Sequence, residues 1–332
     1  MMKLGIVGSG MIVGEFLSFI HEIKDIQLIH ISGTQRSKEK LKQIVEQYGF
    51  ERYSTNYEQL LNDRHVDTIY IALPNHLHFE FARKALQHHK HVIIEKPMTS
   101  TYQEALSLQK IAMENHLFLW EAITNQYLPH YQYIKDHLHE MGNIKIVQCH
   151  FCQYSSRYQK FLEGDILPVF DYTKSGGALM DINIYNIHFV VGLFGEPQDI
   201  HYYPCIEHHI DTSGVLVLQY PHFQCVCIGA KDCQLPSFNT IQGEKGYFYV
   251  DTPSSFIKTV EWVNHDGTSI QTDHQHQHVM YAEMQAFVDM YQNQDYQRCY
   301  EMLKHSLTVC KVQTIARRKA GILFPADQVS SL

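Results

Sequence analysis

The sequence predicts a doubly wound, parallel α/β domain followed by an α+β domain. Short apolar strands alternate with amphipathic helices as far as residue 123, which is typical of a parallel sheet with helices on both faces. Beyond that residue the alternation stops and strand-like runs follow one another, which indicates an α+β arrangement. A chain of 332 residues has room for about two domains. We therefore predict domains at residues 1–123 and 124–332.

Composition and charge exclude several classes of protein. Apolar residues make up 45% of the chain and charged residues 19%, as in ordinary soluble globular proteins. The formal net charge of −8 argues against a nucleic-acid surface, which requires a basic face. No apolar run reaches the roughly 18 residues of a membrane span, and the N-terminus enters a strand without the segments of a signal peptide.

The eight cysteines are expected to be free thiols. Most of them lie in apolar or strand-like segments of a long chain, so we expect a reducing, cytoplasmic environment. Cys149 and Cys152 form a C-x-x-C pair on an apparent strand, but no second pair follows at metal-ligand spacing. We therefore favour free thiols over a zinc or redox site at this pair.

The first strand, residues 4–7, runs into a glycine-rich turn and a helix. The turn reads Gly8-Ser9-Gly10-Met11-Ile12-Val13-Gly14. Gly8 permits a tight turn, and Gly10 lets the backbone approach a pyrophosphate at the helix N-terminus. Val13 stands where a third glycine is usual. The order of strand, turn and helix favours a dinucleotide site, and the alternative is an ordinary strand-to-helix turn.

The second strand, residues 26–32, ends without the carboxylate that binds the ribose 2′-hydroxyl in NAD enzymes. Arg36 follows it and is suited to a 2′-phosphate, with help from Ser32, Thr34 or Ser37. We therefore predict that NADP is favoured over NAD. The alternative is that Arg36 is a surface residue at the start of a helix.

The next elements continue the α/β pattern. Residues 41–48 carry apolar side chains at helical spacing, and Asn56 is expected to cap the short helix that follows. A buried strand at residues 68–73 leads into Pro74 and Asn75, and we expect Asn75 to cap the next helix. Both residues follow the carboxyl end of a strand, where a nicotinamide would lie.

The stretch Val92-Ile93-Ile94-Glu95-Lys96-Pro97 is the centre of the predicted site. Its three apolar residues predict a buried strand, and ligands bind outside the carboxyl ends of strands in open parallel sheets. Lys96, held between a carboxylate and a rigid proline, can transfer a proton or supply charge there. The alternative is a solvated loop lysine. A helix near residues 105–112 and a strand at 118–123 complete the first domain.

Histidine-rich tracts raise the question of a metal site. Five histidines lie between residues 76 and 91, and a His-Gln-His-Gln-His run occupies residues 274–278. His88 and His89 are adjacent and cannot share a helix face, and the five histidines have no paired carboxylates. We therefore predict no metal site and expect the later run to be a solvated loop.

The second domain is predicted to contain one early helix, six strands and two late helices. The early helix lies near residues 131–138, and the late helices span residues 284–291 and 303–310. The strands are predicted at residues 144–151, 200–206, 215–220, 225–230, 247–250 and 257–263.

Several motifs together resemble the Gfo/Idh/MocA family of nicotinamide-dependent oxidoreductases, and its dihydrodiol dehydrogenase-like and glucose–fructose oxidoreductase-like branch in particular. Glu-Lys-Pro combined with Gly-Gly-Ala-Leu-x-Asp-x-x-x-Tyr is highly specific, and the motifs extend over nearly the whole chain. They are Gly8-x-Gly10, Pro74-Asn75-x-x-His78, Glu95-Lys96-Pro97, Phe118-Leu119-Trp120-Glu121-Ala122, Tyr127-Leu128-Pro129 and the run from Ser175 to Tyr185.

The resemblance implies an NAD(P)-dependent dehydrogenase or reductase that acts on CH–OH groups of a sugar, polyol or related secondary alcohol or carbonyl. It implies an N-terminal Rossmann sheet and a C-terminal open, mainly antiparallel sheet, which covers the nicotinamide with one face and often forms a dimer contact with the other. We expect a homodimer or homotetramer, a carbohydrate-like substrate, and no nucleic-acid or membrane partner. The expected cofactor contacts are Gly8, Gly10, Met11, Ile12, Arg36, Pro74, Asn75, His78, Glu95 and Lys96.

The resemblance also implies three catalytic residues, Lys96, Tyr185 and Asp181. Asp181 and Tyr185 are four residues apart, so they share one face if they lie on one helix. Asn183 stands between them in place of the usual glycine. Lys96 and Tyr185 can tune each other's proton affinity, so either of them could carry the proton. His188 is either a core or substrate-lining residue or an accessory acid.

Other choices stay open at this level. Glu95 is expected to orient Lys96 rather than to react. A catalytically silent sensor of the same fold is the alternative function, although such a protein could lose Lys96 or Tyr185 and this chain keeps both. A metal protein built on the histidine tracts is a third class.

Substrate contacts are expected from residues near Asn125 and Tyr127 and from the loop at residues 154–171. In that loop Arg157, Tyr158 and Lys160 suit a polar or anionic substrate, and the alternative is a solvated loop.

A one-sided sheet in the second domain would expose alternate apolar residues unless a partner covers them. The candidates for the exposed set are Val215, Val217 or their neighbours, and Cys225, Cys227 or their neighbours, and the pattern does not assign the face.

Overall fold

Six parallel strands form the sheet of the first of two units in the computed structural model, which describes residues 1–273 and 277–329. The strand order is 3-2-1-4-5-6, as in dinucleotide-binding folds, and this order reverses beside β1. The elements are β1 Met2–Val7, α1 Met11–Phe19, β2 Ile26–Ser32, α2 Lys38–Tyr48, β3 Arg52–Ser54, α3 Tyr57–Leu61, β4 Thr68–Ile71, α4 His78–Gln87, β5 His91–Glu95, α5 Tyr102–Glu114 and β6 Leu119–Ala122. The predicted doubly wound parallel sheet is confirmed.

Local signals explain most of these elements. The central strands are buried along almost their whole length, which suits the apolar residues of a sheet covered on both faces. The Asn56 side chain accepts a hydrogen bond from the Glu58 N–H and caps α3, as predicted. The predicted cap by Asn75 is wrong, because Asn75 begins a short 3-10 turn and α4 starts at His78.

Eight strands form the sheet of the second unit, in the order 14-13-12-11-7-10-9-8. Only β7 and β10 are parallel neighbours, and every other pair is antiparallel. The elements are α6 Pro129–His137, β7 Ile144–Cys152, α7 Tyr158–Leu162, α8 Ala178–Asp181, α9 Asn183–Phe194, β8 Asp199–Glu207, β9 Ile210–Gln219, β10 Gln224–Ala230, β11 Phe238–Gly243, β12 Gly246–Val250, β13 Glu261–Asn264 and β14 Ser269–Gln271. The open, mainly antiparallel sheet is confirmed.

The sequence missed some of these elements. The strand predicted at 257–263 begins only at Glu261. Strand β11 was not predicted, because its segment Phe238-Asn239-Thr240-Ile241-Gln242-Gly243 is largely polar. This strand is specified by pairing, since it lies between β7 and β12.

Three helices end the chain: α10 Tyr281–Gln292, α11 Tyr296–Lys319 and α12 Pro325–Val329. The segment Met280–Leu307 belongs to the first unit together with Met1–Ala122, whereas Ile123–Val279 and the chain from Thr308 onward form the second. The predicted boundary after residue 123 therefore lies one residue from the boundary after Ala122 in the structure. The predicted second domain, 124–332, wrongly includes residues 280–307, which belong to the first unit. Aromatic stacking explains their placement, because Phe287 stacks on Trp120 at 5.4 Å and Tyr296 on Phe118 at 4.1 Å between ring centroids.

The eight cysteines are all free thiols. Within the described ranges 1–273 and 277–329, no single helix has both the length and the apolar composition of a membrane span. The segments Tyr172–Asp181 and Asn183–Phe194 meet both criteria only when taken together, and the pair is bent by 57°.

Candidate active site

The predicted residues of the first unit lie together at the carboxyl ends of three neighbouring parallel strands. Ile71 at the end of β4 is in register with Val7 of β1 and Ile94 of β5. Gly8 follows β1, Pro74 and Asn75 follow β4, and Lys96 follows β5. These strand ends, where the strand order reverses, are where ligands bind in doubly wound sheets.

The glycine turn leaves the N-terminus of α1 open. Gly8 has φ +126°, and a Cβ there would lie 2.2 Å from the Ala72 carbonyl oxygen, so only glycine fits. A Cβ on Gly10 would meet nothing within 4 Å. Met11 is exposed and Ile12 is half-buried. Because the first N–H groups of a helix lack intrahelical acceptors, this turn suits a phosphate group.

The end of β2 presents Arg36 and Thr34, which are both exposed. Ser32 is buried, and its hydroxyl accepts a hydrogen bond from Ser54 at 3.1 Å. The Ser37 hydroxyl donates to the Thr34 carbonyl at 2.8 Å. The Thr34 hydroxyl lies 3.5 Å from the Ser37 hydroxyl. Three of the four predicted phosphate ligands therefore have partners within the protein, and the exposed Arg36 carries the remaining case for a 2′-phosphate.

The loop that carries Lys96 is fixed by two buried side chains from neighbouring elements. The His78 ring nitrogens lie 2.8 Å from the Pro97 carbonyl oxygen and 2.7 Å from that of Leu73. Glu121 on β6 accepts the Met98 N–H at 2.8 Å. Burial lowers the pKa of His78, and the two carbonyl contacts oppose that shift. His78 is fully buried, so its visible role is to hold two loops together.

Three buried carboxyl groups lie behind this loop: Glu95, Glu121 and Glu283. Burial raises the pKa of Glu95 to about 7, although a hydrogen bond from the Tyr70 hydroxyl and the charge of Lys96 act against the shift. Burial, together with the charges of Glu95 and Glu121, raises the pKa of Glu283 well above its usual value. Because charged carboxylates repel each other in such a site, we infer that Glu283 is held as a neutral acid.

We predict that Glu283→Gln stabilises the protein by about 1–3 kcal/mol at pH 8 and by less at pH 5. A raised folded-state pKa means that the native protein keeps a proton that the unfolded chain releases above about pH 4.5, the usual value for a glutamic acid. Wild-type stability therefore falls as the pH rises from there, and the glutamine variant loses this part of the dependence. Urea unfolding at both pH values measures the difference.

Glu301→Gln, an exposed change on α11 in the same unit, is the control and should alter stability equally little at both pH values. A loss of stability in Glu283→Gln that is the same at pH 5 and pH 8 would contradict the prediction.

In the second unit, two glycines and a buried carboxylate set the path of the chain into α8. A Cβ on Gly176 would lie 2.7 Å from the carbonyl oxygens of Pro168 and Val169, and Gly177 has φ +105°. Asp211 accepts the Leu179 N–H at 2.6 Å and the Tyr202 hydroxyl at 2.7 Å. Burial raises the pKa of Asp211 to about 6, against the effect of these two hydrogen bonds and of the Lys231 charge.

The helix breaks at Ile182, so Asp181 and Tyr185 do not lie on one helix, and the condition for a shared helix face is not met. Asp181 ends α8, and Tyr185 lies in the first turn of α9. Periodic apolar residues continue across the break, which hides it in the sequence. Asp181 accepts a hydrogen bond from the Lys231 ammonium, and Tyr185 packs against Phe151 at 5.9 Å between ring centroids.

Buried amides fix the first turn of α9. Asn183 donates to the Cys227 carbonyl at 3.2 Å, and Asn186 donates to the Ile228 carbonyl at 3.1 Å. A Cβ on Gly229 would lie 2.7 Å from the Cβ of Asn183, so this glycine accommodates the asparagine. Asn125 donates to the Tyr185 carbonyl at 2.9 Å. The backbone around Tyr185 is therefore held from two sides.

Other predicted residues have structural surroundings. His188 is fully buried, which favours a role in the core over a role as an accessory acid. Tyr158 is also buried, and its hydroxyl donates to Glu207 at 2.8 Å, so it is not a free surface group for a substrate. Arg157 is half-buried and Lys160 is exposed.

Sequence reasoning missed Lys231, Asp211, Tyr70 and Glu283, which lie outside the motifs that they support. The only signal for Lys231 was a charged pair, Lys231-Asp232, directly after an apolar strand. Part of the histidine run, residues 274–276, lies outside the described residues. Among the residues that are described, no group of three His, Cys, Asp or Glu side chains is arranged to hold a metal ion.

Known proteins share this chain's sequence and fold. A model of an oxidoreductase family with an NAD-binding Rossmann fold, GFO_IDH_MocA, matches residues 2–123. The chain is 31% identical over 331 residues to scyllo-inositol 2-dehydrogenase (NADP(+)) IolU of Bacillus subtilis, which covers 99% of this chain and 100% of that protein. It is 26% identical over 265 residues to trans-1,2-dihydrobenzene-1,2-diol dehydrogenase of Xenopus tropicalis, which covers 77% of this chain and 78% of that protein.

The fold is similar to that of KijD10, a 3-ketoreductase from Actinomadura kijaniata crystallised with NADP and TDP-benzene. The TM-score is 0.83 at 22% identity, and the match covers 96% of this chain and 97% of that chain.

Proposed function

This chain belongs to the Gfo/Idh/MocA family of oxidoreductases, and we propose that it transfers a hydride between NADP(H) and a secondary alcohol or carbonyl of a polyol or sugar. One observation carries the proposal. The open glycine turn after β1 and the Lys96 loop after β5 both lie at the carboxyl ends of the parallel strands, beside the point where the strand order reverses. The inositol dehydrogenase relative, similar over the whole chain, supports a polyol as substrate.

The residues of the first unit fit a nicotinamide dinucleotide. The open side of Gly10 and the free N–H groups of α1 suit the pyrophosphate, and the exposed Arg36 suits a 2′-phosphate. When bound, the nicotinamide accepts a hydride in oxidation and supplies one in reduction. We propose that the residues holding it are Gly8, Gly10, Met11, Ile12, Arg36, Pro74 and Asn75.

The chain supplies the proton chemistry. Oxidation of a carbinol carbon removes a hydride from carbon and a proton from the hydroxyl oxygen, and the proton needs an acceptor. We propose that Lys96 and Tyr185 form that acceptor and that in reduction they polarise the carbonyl and return the proton. Asp181 orients a substrate hydroxyl. Glu95, Glu121 and His78 act indirectly, because they hold the Lys96 loop.

A panel of inositols, other polyols, sugars and diols tests the proposal. Each compound is assayed with NADP⁺ and NAD⁺, and the corresponding carbonyls with the reduced cofactors, by nicotinamide absorbance. We expect turnover of at least one polyol or sugar, dependent on Lys96. Tight nucleotide binding without turnover of any compound would contradict the proposal and favour a sensor.

We further propose that the protein is at least a dimer through the outer face of the second-unit sheet. Cys225 and Cys227 are fully buried in the core, so they do not belong to that face. Val215 pairs with Ile228, and Val217 pairs with Val226. On the same face Tyr203 lies opposite Val215, and the exposed Ile146, Tyr247 and Tyr249 lie on the further strands β7 and β12. An apolar surface of this kind is expected to be covered by a partner.

We predict that light scattering reports at least twice the mass of one chain at micromolar concentration for the wild type. Val226→Lys places a charge among Val217 and its neighbours and should shift the protein to monomer, because an unpaired charge at the centre of an apolar contact is costly. Met113→Lys, an equally non-conservative change at an exposed residue of α5, is the control. A monomeric wild type would exclude this contact.

We propose the cytoplasm as the location, since the eight cysteines are free and a reducing compartment keeps thiols in that state. Fractionation of cells that express the protein tests this.

A further inference from the structure

We propose that Lys231 is a positioning residue for Asp181: it holds that carboxylate in one orientation and anchors the neighbouring loop through Phe170. The inference rests on the proposed function, because it takes Asp181 as the group that orients a substrate hydroxyl. Nothing in the family motifs points to Lys231, which lies 50 residues beyond Asp181.

The contact joins the buried side chain of Lys231 to the partly exposed side chain of Asp181. Lys231 follows β10, and its side chain is 6% exposed, whereas the side chain of Asp181 is 30% exposed. The Lys231 ammonium donates to Oδ2 of Asp181. A buried ammonium is stable only when it is paired, so the contact fixes one edge of the carboxylate. The exposed part of Asp181 can then face a substrate.

The same ammonium reaches the loop that precedes α8. Its Nζ atom lies 5.5 Å from the centroid of the Phe170 ring, within the range of a cation–π contact. Phe170 is buried and ends a 3-10 turn that starts at Pro168. The Gly176 backbone packs against the same turn. One lysine therefore links β10, the end of α8 and a loop that was expected to contact the substrate.

Other acidic groups near Lys231 have hydrogen-bond donors of their own. Asp211 accepts from the Tyr202 hydroxyl and the Leu179 N–H. Asp232 accepts from the hydroxyls of Thr212 and Ser213 at 2.7 and 2.8 Å. The direct contact of the ammonium is with Asp181, and Asp211 feels its charge at longer range.

A melting cycle tests the pair without a substrate. Asp181→Asn should lower the melting temperature, because it leaves a buried ammonium without its counter-charge. Lys231→Met removes that ammonium, so the double variant should melt no lower than Asp181→Asn alone. Additive losses would overturn the inference, whether or not a substrate is known.

Kinetics on any polyol or sugar that the wild type turns over test the positioning role. We expect Lys231→Met to lower kcat by about 10²-fold, the effect of a misplacement of about 1 Å, with unchanged nucleotide affinity. The acid limb of the kcat/KM profile should move to higher pH. Lys231→Arg, which keeps the charge, should restore part of kcat and reverse part of the pH shift. Lys258→Met, which removes another lysine that lies over an aromatic ring, at 4.9 Å from Phe256, is the matched control and should change neither quantity.

A Lys231→Met protein with a lower melting temperature but an unchanged kcat and pH profile would overturn the inference and leave the proposed function intact. A wild type that turns over no polyol or sugar with either nucleotide would instead overturn the proposed function, while the melting cycle still decides whether the pair is coupled.

Discussion

Lys96→Met is expected to lower turnover by about 10²–10⁴-fold, the usual contribution of general acid–base catalysis. The substitution keeps most of the apolar stem and removes the charge, and His78, Glu121 and Glu95 still hold the loop around it. The melting temperature and nucleotide affinity should therefore stay near those of the wild type. Lys84→Met on α4, which changes a lysine of the same unit with a side chain that is 41% exposed, is the control.

Tyr185→Phe is expected to cause a loss of similar size, because it keeps the ring that packs on Phe151 and removes the hydroxyl. If the two residues act in one proton transfer, the double variant should be little worse than the poorer single one. The pH profile should shift in each single variant, since each group sets the proton affinity of the other. Tyr133→Phe, a half-buried tyrosine of the same unit, should change neither property.

Turnover, nucleotide affinity and melting temperature of these proteins separate catalysis from stability. Near-normal turnover in Lys96→Met would exclude Lys96 as a proton carrier. A loss in Lys96→Met without one in Tyr185→Phe would leave Lys96 as the proton carrier on its own.

The first unit was largely predictable because its determinants are local. Apolar strands alternate with periodic helices. Between the first strand and helix, Gly8 is required by the turn and Gly10 lies at the open end of the helix. Residues 280–307 were misplaced because nothing near them in sequence specifies their partner. Stacking of Phe287 and Tyr296 on side chains of β6 and the segment before it determines their place.

The second unit was predicted as a type of sheet but not in its details. The break at Ile182 depends on buried asparagines that bond to β10 and on Gly229, which leaves room for them, and no local pattern reports such contacts. The pairing of Asp181 with Lys231 depends on tertiary structure in the same way. Motifs identified the residues expected to react, whereas the residues that hold them became visible only in three dimensions.

Arg36→Ala is expected to reduce the preference for NADP(H) over NAD(H) by about 10–150-fold, which corresponds to the loss of about 1.5–3 kcal/mol for a charge-assisted contact to a 2′-phosphate. The reason is local, because no carboxylate follows β2 in Gly33-Thr34. Ser32 and Ser37 are engaged within the protein, and Arg36 is exposed beside them. The ratio of kcat/KM values, or of nucleotide dissociation constants, measures the change.

A second variant tests the same contact from the opposite direction. Thr34→Asp introduces a carboxylate just before the turn Gln35–Ser37, where aspartate is a favoured residue. It should weaken NADP(H) by repelling the phosphate and improve NAD(H) by accepting a bond from the ribose hydroxyl. Arg64→Ala is the control and should leave the preference unchanged. This exposed arginine precedes β4 and so lies near the amino ends of the strands, away from the predicted cofactor site. A wild type that favours NAD(H), or an Arg36→Ala protein with an unaltered ratio, would remove Arg36 from the cofactor site.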